Sequence, residues 1–418
     1  MLDIKLIRDH LTEVKVGLLK RMPAAEFDLE KIIKLDDERR VLIEKTETLK
    51  AERNQGSKTK PTPELIASLR KLGEEIKIVE EKLAVTNQEL DTRLAALPNI
   101  PAPDVVAGGK EKNEVIYTYG QAPKFNFTPK DHIELATSLG LIDYERAVKM
   151  SGSGFWCYKG IGALLEWALL SYFIDFHTKN GYQFLIPPFL LTEKSAYTSG
   201  HLPKFRDDLF WTQDALCLNA TSEMMLGNYH REEILPLEDL PLKYFAYSPC
   251  FRREAGSYRQ EERGMVRGHQ FNKVEMFIFS RPEKSWEMFA ELVQNAQKLV
   301  EGLGLHFQVS KLAAGDCSAA MAKTYDLEIF IPSMGIFKEV SSISNALDYQ
   351  ARRGSIRYKN KETGKNEFVH TLNASGLATS RLLPAILEQN QQADGSVIIP
   401  KVLRSYLPHR LKVIKPEK

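Results

Sequence analysis

Two runs of residues at alternating steps of three and four constrain this chain more than any other feature. Ile32, Leu35, Arg39, Leu42, Thr46, Leu49 and Arg53 form the first run. Leu65, Leu69, Leu72, Ile76, Val79, Leu83, Thr86, Leu90 and Leu97 form the second, with Arg93 the one seam position out of pattern. Such spacing lays a stripe along a helix that another helix must cover. Between the runs, NQGSKTKPTPE supplies Gly56 and Pro61 to stop the first helix and Thr62 to cap the second. The pattern predicts an antiparallel helical hairpin, each limb reaching about 45 Å at roughly 1.5 Å per residue.

A hairpin of this kind serves either as a dimerisation coiled coil or as an arm. From residue 45 to 71 the basic residues are Lys45, Lys50, Arg53, Lys58, Lys60, Arg70 and Lys71, against the acids Glu47, Glu52 and Glu64. Over residues 29 to 98 the balance is fourteen to fourteen. A neutral hairpin with a basic distal half suits an arm reaching for phosphates, because clustered cations gain most from counterion release. A merely solvated charged face is the alternative.

LPNIPAPDVVAGGK then ends the second helix and reads as a linker, giving domains at 1–105 and 106–418. Beyond it, a helix from Ala163 to Lys179 is followed by the short apolar runs YQFLIPPFLL, KYFAYSP, VEMFIFS and DLEIFIP. These suggest an α+β domain with a mainly antiparallel sheet. A net charge of +2 excludes wholesale wrapping by a polyanion. MLDIKLIRDH has no signal-peptide core, and GALLEWALLSYFIDF carries Glu166 and Asp175, so neither export nor a membrane span is expected. Cys157, Cys217, Cys250 and Cys317 form no CxxC pair, which fits a reducing, cytoplasmic compartment without structural disulfides or a cysteine-held zinc.

No GxxxxGK[ST] occurs, and Gly160-Ile-Gly162 lacks a third glycine, so neither a P-loop nor a dinucleotide fingerprint is supported. KMSGS at Lys149 carries Gly152 where the KMSKS loop of class I aminoacyl-tRNA synthetases has lysine, and no HIGH partner accompanies it. The informative stretch is FRREAGSYRQEERGMVRGHQFNKVEMF, from Phe251. Strand alternation would put Arg252 and Glu254 on one face, and Phe271, Lys273 and Glu275 on one face with Val274, Met276 and Ile278 opposite. Between them runs a polar loop with Arg259, Arg263 and Arg267. A surface hairpin with cross-strand ion pairs is the plain alternative.

FRREAG followed by RGMVRGHQFNKVE resembles motif 2 of class II aminoacyl-tRNA synthetases, in the form typical of the seryl-tRNA synthetase family. YQFLIPPFLL resembles motif 1, ATSE at Ala220 the serine-binding loop, KEVSSISNALDYQARR the metal and ATP strand, and TLNASGLATSRLLPAILE motif 3. The basic-tipped hairpin is similar to that family's N-terminal domain, so the resemblance covers essentially the whole chain.

The resemblance implies a class II fold, a homodimer formed through motif 1, and activation of L-serine with ATP followed by transfer to tRNA(Ser). Whether selenocysteine tRNA is also charged is left open by the sequence. It places Arg252 at the α-phosphate, Glu254 on the adenine amino group, Phe271 against the base and Arg381 at the outer phosphates, making Arg252 and Arg381 the catalytic pair. Arg253, Gly268, Val340 and Ser341 join the ATP-binding set, and Glu339 with Ser342 would ligate Mg2+, with no zinc. Two ligands three apart on a strand require a bulge or a strand end. Thr221, Ser222, Glu223, Arg252, Glu275 and Ser375 would bind serine. The arm residues Lys45, Lys50, Arg53, Lys58, Lys60, Arg70 and Lys71 would meet tRNA. A silent relative that only binds RNA would have no use for the charged strand face. A threonine or proline enzyme would lack the arm and carry a C-terminal anticodon domain, whereas 37 residues follow Arg381. Three positions depart from the family pattern: Gly154 where arginine is common, NASG in place of NGSG, and Pro384 inside the motif 3 helix, where it is expected to kink the axis.

Overall fold

The computed structural model describes residues 1–255 and 264–416, and divides into two compact units, Met1–Ile100 and Pro101–Lys418. Arg259 and Arg263 of the polar loop lie outside the described residues.

In the first unit, α1 (Ile4–Asp9) and α2 (Leu11–Leu19) precede the hairpin of α3 (Leu29–Gly56) and α4 (Pro63–Ala96). Thr62 caps α4 by accepting from the Leu65 amide at 3.2 Å, as its position predicted. Ile32, Leu35, Thr46 and Leu49 of α3, with Ile76, Val79, Thr86 and Leu90 of α4, are the buried seam. Arg39, a cation on that seam, is there for Asp36: it donates to Oδ1 at 2.7 Å while Arg8 donates to Oδ2 at 2.9 Å, so a carboxylate 1% exposed carries two guanidinium partners. α1 and α2 were not anticipated. They add Ile7, Val14 and Leu18 to the base of the hairpin, and α2 packs Gly17 against Ile100, where a Cβ would lie 2.7 Å from the isoleucine Cγ2.

The second unit is built on one sheet. Its strands are β1 (Glu114–Tyr119), β2 (Gln183–Leu185), β3 (Leu242–Phe251), β4 (Gln270–Ser280), β5 (Phe307–Lys311), β6 (Lys323–Ile331), β7 (Ile336–Leu347) and β8 (His370–Ala378). The order across the sheet is β1-β5-β6-β7-β8-β4-β3-β2. Every pairing is antiparallel except the edge pair β2 and β3, so the expected mainly antiparallel α+β architecture is present. α5 (Ile161–Lys179), α6 (Ser285–Leu303) and α7 (Thr379–Gln389) pack on one face. There Leu165, Leu169 and Phe173, Leu292 and Leu299, and Leu382 and Ile386 join Val274, Met276 and Ile278 of β4 in one core. The alternation read for β4 therefore holds. On its other face Phe277 and Phe279 enter a second, smaller core with Leu226, Leu235 and Ala246. That leaves Phe271, Lys273 and Glu275 as the part of this face open to polar chemistry.

Residues 101–106 belong structurally to the second unit. The Ala102 amide donates to Ala322 O at 2.8 Å, and Asp104 takes Lys311 at 2.8 Å and Lys323 at 2.6 Å. These lysines overcome partial burial and hold the Asp104 carboxyl down at about 2. All four cysteines are free thiols. Among the described residues no helix is long and apolar enough to cross a membrane.

Candidate active site

A cavity of about 500 Å³ opens over the polar face of β4, lined among others by Thr221, Glu223, Arg252, Glu254, Lys273, Glu275, Glu339, Ser342, Asn373 and Ser375. A smaller compartment adjoins it, lined by Gly268, Phe271, Val340, Ser380 and Arg381; Arg252, Glu254, Arg267, Lys273, Glu339 and Ser375 border both. The structure thus brings together most of the residues singled out in the sequence. Three line neither compartment. Arg253 is exposed, its amide bonded to Asp208 O at 2.9 Å. Ser222 and Ser341 are fully buried, the first bonded to Ser248 Oγ at 2.7 Å and the second donating to Ser375 O at 2.6 Å.

Alternation fails at the motif that suggested it. β3 ends at Phe251, and Glu254 adopts a left-handed backbone with φ of 54°. Arg252 and Glu254 are aimed by local bonds instead. The Arg252 amide donates to His269 O at 3.0 Å and its Nε to Ala220 O at 3.2 Å, and the guanidinium lies 5.3 Å from the Phe271 ring centre. Glu254 pairs with Arg267 at 2.5 Å. The bulge required by Glu339 and Ser342 is present. Ser341 faces Leu327 and Glu339 faces Glu328 across the sheet, so Val340 is the extra residue and both side chains reach the same cavity.

At the deep end two carboxylates are stitched together by amides. Gln350 Nε2 donates to Glu223 Oε1 at 2.7 Å, and Asn373 Nδ2 donates to Glu223 Oε2 at 3.3 Å and to Glu275 Oε1 at 3.0 Å. Burial first, then the neighbouring Glu275, push the Glu223 carboxyl up to about 7 despite the opposing field of Lys273. Lys273 forms an ion pair with Glu275 and donates to Thr221 Oγ1 at 2.6 Å. His201 also faces the cavity; enclosure, then the fields of Arg252, Lys273 and Arg353, hold its imidazole down at about 3. Alternation placed Lys273 on this face but gave it no role, and Asn373, Gln350 and His201 were not assigned from sequence. Asn373 could have been found by extending alternation along β8, while Gln350 and His201 carry no local signal.

The three departures have local readings. Gly154 has φ of 82° and a Cβ there would lie 2.5 Å from His269 Cδ2, so the backbone itself closes on the residue that fixes Arg252. Ala374 turns its methyl into the helix-side core, away from the cavity. α7 runs through Pro384 from Thr379 to Gln389. The turn before it still delivers Arg381 to the smaller compartment, with Nη1 donating to Glu339 O at 2.7 Å.

Residues 205–390 match the family described as tRNA synthetase class II core domain (G, H, P, S and T), and residues 1–101 match the seryl-tRNA synthetase N-terminal domain. A serine–tRNA ligase 2 of Clostridium acetobutylicum is 52% identical over 97% of this chain and 99% of its own. The structure of a Pyrococcus horikoshii seryl-tRNA synthetase complexed with ATP superimposes with a TM-score of 0.92, at 36% identity and full coverage of both chains. That of a cytoplasmic serine–tRNA ligase from Naegleria fowleri in complex with AMP gives 0.88, at 30% identity over 100% of this chain and 99% of that one. With a charged cavity on an antiparallel sheet, a paired-helix N-terminal unit and relatives matched end to end, this chain belongs to the seryl-tRNA synthetase family of class II aminoacyl-tRNA synthetases.

Proposed function

We infer that the protein is an ATP-dependent serine–tRNA ligase that makes seryl-adenylate and passes the seryl group to a ribose hydroxyl at the 3′ end of tRNA(Ser). The observation that carries this reading is the shared wall. Glu223, Glu275 and Asn373 line the larger compartment, Phe271 and Arg381 the smaller, and Arg252 and Glu339 border both. An amino acid and a nucleotide bound in the two compartments would therefore react at Arg252.

In the first step the serine carboxylate attacks the α-phosphorus, the bond to the bridging oxygen breaks and pyrophosphate leaves, with no proton to move. What accelerates it is alignment and neutralised charge. Arg252 offers a planar fork to carboxylate and α-phosphate oxygens together. Phe271 stacks on adenine, Glu254 accepts from its amino group once released by Arg267, and Arg381 takes the outer phosphates. Glu339 and Ser342 fit a hard cation, being oxygen donors brought to one cavity by the bulge, and a bound Mg2+ would add positive charge at the phosphates. Thr221 and Glu223 hold the ammonium, and Glu275 with Ser375 the hydroxyl. Such a pocket rejects alanine by about 10⁴, since a missing hydroxyl leaves buried polar groups unpaired. Recognition needs no zinc.

The first unit serves as the tRNA-binding domain and the second as the catalytic domain. Lys45 and Lys50 are paired with Glu75 at 2.8 Å and Glu80 at 2.6 Å, and Arg70 lies 3.5 Å from Glu74. Among the described residues Arg53, Lys58, Lys60 and Lys71 form no ion pair, so the cationic surface of the arm narrows to its tip. The exposed Leu164 and Trp167 of α5 and Ile186 beyond β2 supply an apolar face for homodimerisation through motif 1. A cytoplasmic location is part of this reading, supported by four free thiols suited to a reducing compartment. Exchange of labelled pyrophosphate into ATP, run with serine, threonine, alanine and cysteine, tests the reading. Serine alone should drive it; exchange with threonine but not serine overturns the substrate, and no exchange with any overturns the activity.

A further inference from the structure

We propose that Lys273 is a further catalytic residue of the activation step: its ammonium, held by Glu275 and Thr221, shifts on serine binding onto the carboxylate and α-phosphate oxygens that react. This rests on the serine-activation reading above. Lys273 is 5% exposed, pairs with Glu275 and donates to Thr221 Oγ1 at 2.6 Å. It therefore holds the two groups that would receive the substrate's ammonium and hydroxyl. Glu275 Oε2, which faces the Lys273 ammonium, has no aligned hydrogen bond and no exposed surface. A substrate hydroxyl can reach that oxygen only after the ammonium moves.

Charge decides where it goes. Glu223 and Glu275 line the larger compartment with Lys273 and Arg252. Serine brings a second ammonium into the same cage, and two enclosed like charges sharing these carboxylates repel strongly. Lys273 also borders both compartments, beside Arg252, where the serine carboxylate and α-phosphate would meet. Its four-carbon stem lets the point charge move while the strand stays fixed. As the carboxylate oxygen bonds to the α-phosphorus and pyrophosphate leaves, Lys273 keeps its proton and donates hydrogen bonds to the oxygens gaining charge.

The test uses the full chain with Lys273→Met and Lys273→Gln, each checked by thermal melting. The expected result is a fall in kcat for serine-dependent pyrophosphate exchange of about 10²–10³-fold, with the calorimetric Kd for ATP within about threefold of wild type. Lys273→Arg, which keeps the charge, should recover at least about tenfold of that loss. A kcat within about threefold of wild type, with the change confined to the serine KM, makes Lys273 only the counterion of Glu275 and overturns the proposal. Unfolding of both neutral variants does so too, by assigning the residue to stability. If the wild-type protein shows no serine-dependent exchange, the serine reading falls and this proposal with it, whereas active variants beside an active wild type sink only the role of Lys273.

Discussion

Lys50 and Glu80 meet across the helical arm at 2.6 Å with 46% of each side chain exposed, whereas Lys273 and Glu275 meet on the sheet with 7% and 1%. The two pairs are chemically alike and physically opposite. In water the arm's pair is screened and contributes about 0–1 kcal/mol. On the sheet each charge has lost its solvent, so neither tolerates loss of the other. The arm can vary its exposed pairs without endangering its fold, and that suits a surface matched to RNA. The sheet cannot, and its buried Lys273 and Glu275 both line the cavity.

The comparison breaks most visibly at Glu275. Glu275→Ala should destabilise the protein by about 3–5 kcal/mol in urea unfolding, while Glu80→Ala should cost less than about 1 kcal/mol. Equal costs would erase the distinction. A smaller effect comes from Glu166 of α5, 3% exposed, which accepts from Thr379 Oγ1 at 2.5 Å and Asn272 Nδ2 at 2.8 Å but, among the described residues, pairs with no cation, unlike Asp36 of the arm. Burial pushes its carboxyl from 4.5 up to about 7 against those hydrogen bonds. The folded chain keeps a proton that the unfolded chain loses between these values, so Glu166 subtracts stability as pH rises through the window. Melting curves from pH 5 to 8 should show Glu166→Gln gaining on wild type by about 1–3 kcal/mol. A difference independent of pH would contradict the assignment.

At the arm the effect is on RNA alone. Lys58→Glu with Lys60→Glu should raise the KM for tRNA about tenfold and flatten its salt dependence by about one unit of slope per lost phosphate contact. Pyrophosphate exchange should be unchanged. A parallel loss of exchange would mean that the arm takes part in the chemistry.

The arm was the more legible half. Its seam, its stop at Gly56 and its cap at Thr62 depend on neighbours within a few residues, and the structure matches each. Its charge was read less well, because a count along residues 45–71 does not include Glu75 and Glu80, which lie on the returning helix. In the sheet, alternation located Lys273 and Glu275 against Val274 and Met276. It failed at Arg252, aimed by His269 and Ala220, and at Glu254, paired with Arg267, because these partners lie outside the strand repeat. The bulge at Val340 was legible in part: Glu339 and Ser342, paired by the resemblance, required either a bulge or a strand end, and the register supplies the bulge. Gln350 and His201 were not, since only the fold brings them to Glu223 and the cavity.

The central claim is that one continuous cavity on β4 takes serine and ATP side by side, and a crystal structure with a non-hydrolysable seryl-adenylate analogue tests it most directly. The account predicts the seryl hydroxyl at Glu275 and Ser375, the adenine on Phe271, Arg252 at the phosphate mimic, and the Lys273 ammonium moved off Thr221. An analogue bound away from Glu275, or with its base away from Phe271, would contradict it.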